Sequence, residues 1–217
     1  MEEPVLFTVR EDFSLGSSSN AWGPVNVNAD WNVLVANGKT LNVYGALNSS
    51  GRTITVGGEG FSGTLVLNNA ANASMTAEWV ITSGSTVRCM NNSALGSGLV
   101  TLDGGTLDFN SQTIGSTITL NMSGTGTLQN VTVDGAILSY TSSSGNDGIT
   151  ASNTTWTSGK IDIGRLLQGF SAEGSNTVDL GAELGEGFTV LGLERGQYSI
   201  EGSVLTIKDG AISRVTW

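Results

Sequence analysis

The sequence predicts an all-β parallel solenoid with coils of roughly 20 residues and a β-rich C-terminal cap. Three observations predict it: two interleaved ladders of short apolar phrases with a shared period, glycine-rich turns between them, and almost no helix-forming stretch. The phrase Thr-apolar recurs at Thr40-Leu41, Thr64-Leu65, Thr86-Val87, Thr106-Leu107 and Thr127-Leu128, in steps of 24, 22, 20 and 21 residues. Between these lie Val33-Leu34-Val35, Ile54-Thr55-Val56, Val80-Ile81, Val100-Thr101-Leu102 and Ile118-Thr119-Leu120, in steps of 21, 26, 20 and 18. Each unit reads as strand, turn, strand, turn. Such a unit cannot bury its apolar face alone, whereas stacked units bury a continuous core.

Taken in chain order, the stretch through Trp22, with Pro4, Phe7 and Phe13, lacks the period and is expected to cap the first coil. The coils follow. Strand alternation turns Leu107 and Phe109 inward and Thr106 and Asp108 outward. Stacking then predicts one interior column of Leu41, Leu65, Val87, Leu107 and Leu128, and a neighbouring one of Val43, Leu67, Cys89 and Phe109. Gly57-Gly58, Gly104-Gly105 and Gly124-Thr125-Gly126 supply turns that tolerate positive φ. Residues 141–148 read as a loop, and Thr154-Thr-Trp156 with Lys160-Ile-Asp-Ile163 as one further coil. From Gly164 charged residues crowd in, and Phe188–Leu191, Tyr198–Ile200, Val204–Ile207 and Ile212–Trp217 alternate as hairpin strands do. The chain therefore divides into residues 1–163, an N-terminal cap with the solenoid, and 164–217, a C-terminal β cap or subdomain.

The segment Ser93-Ala-Leu-Gly-Ser-Gly-Leu-Val-Thr-Leu-Asp-Gly-Gly-Thr-Leu-Asp-Phe-Asn110 resembles the autotransporter-associated β-strand repeat family, with its Ala-Leu-Gly-Ser-Gly, Val-Thr-Leu and Gly-Gly-Thr-Leu-Asp phrases. The match covers about 18 residues closely and the coils from about 25 to 140 more loosely. The resemblance implies a right-handed parallel β-helix in a bacterial surface or secreted protein. It implies no catalytic residues, because the motif consists of core and turn positions. No outer-membrane barrel segment follows in this chain, which departs from autotransport proper.

Composition narrows the chemistry. Ser, Thr and Asn make up 69 of the 217 residues, Gly 31, and His none. Without His there is no Ser-His-Asp or Cys-His nucleophile system and no His-ligated metal. A single Cys excludes an intrachain disulfide and a CxxC site. A net charge of −10 repels phosphate backbones and anionic bilayers, and there is no run of 18 apolar residues, so neither nucleic-acid binding nor membrane insertion is expected. The opening Met-Glu-Glu-Pro is read as the start of a mature chain whose signal peptide has been removed, consistent with a secreted or bacterial cell-surface location.

Carboxylate pairs remain the most capable catalytic groups in this alphabet. Asp103, Asp134 and Asp108 are the candidates. Leu102-Asp103-Gly104-Gly105 and Val133-Asp134-Gly135-Ala136 resemble the apolar-Asp-Thr/Ser-Gly loops of aspartic proteases, with Gly in place of Thr or Ser. Asp-Gly is also an ordinary turn pair. Asp108 stacks with Arg88 and Gln129 in one outward column, where a surface ion pair with Arg88 is the simpler reading. No motif surrounds Lys39, Lys160 or Lys208, and Gly57-Gly58-Glu59-Gly60 is a single near-miss of the calcium-binding β-roll repeat. Cys89 has inward parity and reads as an inert buried thiol. No cofactor is expected. The tryptophans, Trp22, Trp31, Trp79, Trp156 and Trp217, share no common face and read as cap or corner residues.

Three functions fit. The first is a secreted or cell-surface bacterial solenoid module, structural or adhesive, contacting glycoprotein or polysaccharide. The second is an acid-active hydrolase, an aspartic-type protease or glycosidase, that degrades extracellular glycoprotein such as mucin through an Asp pair. The third is a carbohydrate-binding module, which needs two exposed Trp or Tyr rings on one face.

Overall fold

The computed structural model describes residues 3–20, 23–82, 84–122, 125–140, 148–162, 175–180, 183–184 and 186–211. It shows a parallel β-solenoid of about six turns with no α-helix among the described residues. The first strands are β1 (Val5–Val9), β2 (Phe13–Leu15), β3 (Val25–Val27), β4 (Trp31–Val35), β5 (Thr40–Val43), β6 (Leu47–Val56) and β7 (Thr64–Leu67). After a 3-10 turn at Ala70–Ser74 come β8 (Thr76–Thr82), β9 (Thr86–Cys89), β10 (Gly98–Asp103), β11 (Thr106–Ile114), β12 (Ile118–Met122) and β13 (Thr125–Tyr140). The chain continues with β14 (Gly148–Asp162), β15 (Asn176–Asp179), β16 (Gly187–Val190), β17 (Tyr198–Glu201) and β18 (Val204–Ile207).

Three faces enclose the core. The first is a parallel ladder of β1, β4, the end of β6, β8, β10, β12, the ends of β13 and β14, and β16. The second stacks β2, β5, β7, β9 and the starts of β11, β13 and β14. The third is shorter: β3 pairs with the start of β6, and the end of β11 with the middle of β13 and then of β14. Long strands such as β13 bend around corners and therefore serve more than one face.

The second-face register places Leu41, Leu65, Val87, Leu107 and Leu128 in one buried column, as the Thr-apolar spacing predicts. The first face departs from the sequence alignment by small register steps. Val100 lies opposite Trp79 and Leu120, and Ile118 lies opposite Gly98. A two-residue shift keeps the same side chains inward, so alternation alone does not resolve it. The one-residue shift at β8 does change facing: Trp79 is core, 1% exposed, and its indole nitrogen donates to Leu95 O at 3.1 Å. Its polar end is thereby satisfied inside an apolar layer, and its corner assignment from the sequence is replaced.

Both ends differ from expectation in part, although Tyr198–Glu201 and Val204–Ile207 do pair antiparallel as expected. The N-terminal stretch does not lie across the first coil as a separate cap. Its strands β1 and β2 are rungs in register with β4 and β5, so it is itself a coil. Val5, Leu6 and Phe13 on this outermost rung are exposed. At the other end Phe188 and its neighbours join no hairpin: β16 pairs parallel to β14 and extends the solenoid, while β15, β18 and β17 form a separate antiparallel sheet. The expected strand Ile212–Trp217 and the candidate loop at 141–147 lie outside the described residues.

Where strand pairing is interrupted on the third face, a buried asparagine substitutes for it. Asn72 accepts from Leu47 N at 2.8 Å and donates to Ala94 O at 2.8 Å, tying three successive coils. Backbone groups that no strand reaches are in this way still paired.

Candidate functional site

Asp108 occupies an outward parity position on β11 but is only 2% exposed, so the expected surface ion pair is a buried-carboxylate contact. Its side chain is enclosed because stacking sets Arg88 on one side and Gln129 on the other. Arg88 Nε donates to Oδ2 at 2.9 Å. Oδ1 accepts from Asn110 N at 3.0 Å and from Asn130 Nδ2 at 2.9 Å. Burial pushes the Asp108 carboxyl up, but hydrogen bonds from Asn130, Asn110, Arg88 and Gln129 outweigh it and hold the group below the usual carboxylate range. A carboxylate with both oxygens engaged and a lowered pKa is a poor general acid or base at neutral pH.

The row continues beyond Asp108. Asn153 Nδ2 donates to Asn130 Oδ1 at 2.9 Å, and both asparagines sit at positive φ, 52° and 53°. Asparagine tolerates this left-handed corner better than most residues and stacks its amide along the solenoid axis.

Asp134 and Asp103 are exposed and lie at opposite ends of the first face. Asp134 precedes Gly135, whose corner packs on Ser116, and accepts from Ser158 Oγ at 2.6 Å in the next coil. Asp103 ends β10, opposite Thr82. The start and end of β10 are separated by roughly 16 Å at the usual strand rise. Carboxylate-pair chemistry works at about 5–9.5 Å. Asp103 and Asp134 are therefore not brought together, and the Asp108 carboxylate is already engaged by Arg88, Asn110 and Asn130. Among the described residues no group of three or more Cys, Asp or Glu side chains converges as a metal site.

The tryptophans offer no stacking platform among the described residues. Trp79 and Trp156 are buried, and Trp31 is half-buried against Phe7 with ring centroids 6.4 Å apart. Trp22 and Trp217 lie outside the described residues.

Asp103 does border a recess of about 460 Å³, lined also by Asn37, Glu59, Phe61, Ser62 and Thr82. It forms at the corner joining the first and second faces, and its origin lies in corner length. Four residues separate β4 from β5, seven β6 from β7, three β8 from β9 and two β10 from β11. The 57–63 loop projects beside shorter corners and leaves the space between. In the sequence, residues 57–60 read as a Gly-rich turn and a single near-miss of the calcium-binding repeat. The legible signal was the length of this step and an aromatic residue within a Gly-rich turn.

No family model matches the chain, and neither a curated protein nor a solved structure matches it. Fold and surface together define a parallel β-solenoid protein.

Proposed function

We propose that the chain is a structural or adhesive solenoid module of a secreted or cell-surface bacterial protein that contacts glycoconjugates. One observation carries this reading. Thr40, Thr64, Thr86, Thr106, Thr127 and Thr150 lie in register as an unbroken outward column on the second face. At a strand spacing of about 4.8 Å the column runs about 24 Å. A long hydroxyl row suits extended contact with a polar polymer rather than enclosure of one reacting bond. The separation of Asp103 from Asp134 and the saturation of Asp108 further favour binding over hydrolysis.

The test is incubation with a mucin-type glycoprotein from about pH 3 to 8, reading both retention and cleavage. Retention without cleavage is the expected result. Cleavage abolished by Asp103→Asn or Asp134→Asn in a folded protein would replace the reading with the carboxylate hydrolase. Absence of both retention and cleavage would overturn the adhesive assignment.

A further inference from the structure

We infer that the recess beside the 57–63 loop is a binding site for a short neutral saccharide, which deepens the glycoconjugate reading above and rests on it. The recess is preformed. Phe61 N donates to Gly58 O at 2.9 Å and Ser62 N to Asn37 Oδ1 at 2.9 Å, closing the loop on itself and on the preceding coil. From the following coil, Ser85 Oγ donates to Phe61 O and Thr82 Oγ1 to Val56 O, each at 3.1 Å. Gly57 adopts φ 96°, and a Cβ there would overlap Ser85, so the loop base is packed as tightly as a core position. Binding to a loop already held in place avoids much of the entropy loss of ordering it.

The lining has the chemistry of sugar recognition. A pyranose has an apolar C–H face and a rim of vicinal hydroxyls. Phe61 supplies an aromatic surface, and the Arg10 guanidinium, 5.9 Å from the ring centroid and outside the recess lining, steadies it. Glu59 and Asp103 accept hydroxyl protons in charge-assisted hydrogen bonds, and Asn37, Ser62 and Thr82 add amide and hydroxyl partners. The recess is shallow and open to solvent, a shape that suits a short saccharide laid along it better than an engulfed ligand. No Lys or Arg lines the recess, so its two carboxylates disfavour sialylated or sulfated sugars. The sign of the lining charge thus selects neutral saccharides.

Saturation-transfer NMR and calorimetry at pH 7 would use lactose, chitotriose and cellotriose as neutral probes and sialyllactose as the anionic one. At least one neutral probe is expected to bind, sialyllactose much more weakly than lactose if lactose is the probe bound. Phe61→Ala should weaken binding about tenfold or more and Asp103→Asn or Glu59→Gln several-fold, as for anchors at a site centre. Glu78→Gln, exposed elsewhere on the first face, should leave it unchanged. Circular dichroism checks folding, and the two conservative carboxylate variants keep the test valid if Phe61→Ala fails to fold. Binding by wild type that none of the three recess variants weakens would overturn this site while leaving the glycoconjugate reading intact. Equal binding of sialyllactose and lactose would overturn the charge selection. Failure of every small probe, with mucin retention preserved, would also overturn the site alone; loss of both would remove the broader reading as well.

Discussion

At the scale of single residues, Asp108 shows how a solenoid uses a charge. Its carboxylate lies between Arg88 of one coil and Asn130 of another, so one side chain links three rungs. Replacing it by Asn removes the charge-assisted bonds and is expected to cost about 2 kcal/mol at pH 7. The pH dependence has a definite sign. The folded carboxyl titrates below its unfolded value, so its stabilisation is complete above the usual carboxylate range near pH 4 and is lost as pH falls through the folded pKa. Urea titrations of wild type and Asp108→Asn should diverge at pH 7 and converge toward pH 2. A gap that persists at pH 2 would assign the effect to packing instead. Parity on the strand made the column legible in the sequence. The enclosure did not show, because it depends on the neighbouring side chains folding over the carboxylate.

At the scale of elements, the second face was readable because β5, β7, β9 and β11 each open with the same Thr-apolar phrase, and β13 repeats it at Thr127-Leu128. The first face was less so, since Trp79 and Val80 are both apolar and either could begin the inward set. Corner glycines there let successive coils approach closely. A Cβ at Gly105 would lie 2.5 Å from both Cγ2 and the carbonyl oxygen of Ile81 in the preceding coil. Gly38 has open space around it and only a φ of 69° to defend. Gly105→Ala should therefore destabilise by about 2–3 kcal/mol through overpacking. Gly38→Ala should lose only about 1 kcal/mol from backbone strain. Thermal denaturation of the pair checks this, and equal losses would mean that coil spacing at Gly105 can relax. The recess at the 57–63 loop belongs to the same scale: corner length was countable in the sequence, but the overhang it produces needs the stacked neighbours.

At the scale of the whole molecule, each coil touches chiefly the one before and the one after, so stability approximates a sum of nearest-neighbour terms. Rungs at the N-terminal end have a neighbour on one side only among the described residues. Hydrogen exchange is expected to be slowest in β9, β11 and the start of β13 and fastest in β1 and β2. Uniform protection from end to end would show that the solenoid opens as one unit. The separation of the candidate carboxylates belongs to this scale: Asp103 and Asp134 read locally as turn residues, about thirty positions or one and a half coils apart, and the wound chain sets their turns at opposite ends of a face. The same winding gives the chain a kinetic reporter. Cys89 is fully buried in the second-face column, and burial together with the nearby Asp108 charge pushes its thiol up, so the closed coil resists alkylation. Because it is the only cysteine, every alkylation event counts an excursion in which the middle rungs have parted, and labelling rate becomes a clock for the breathing of the stack.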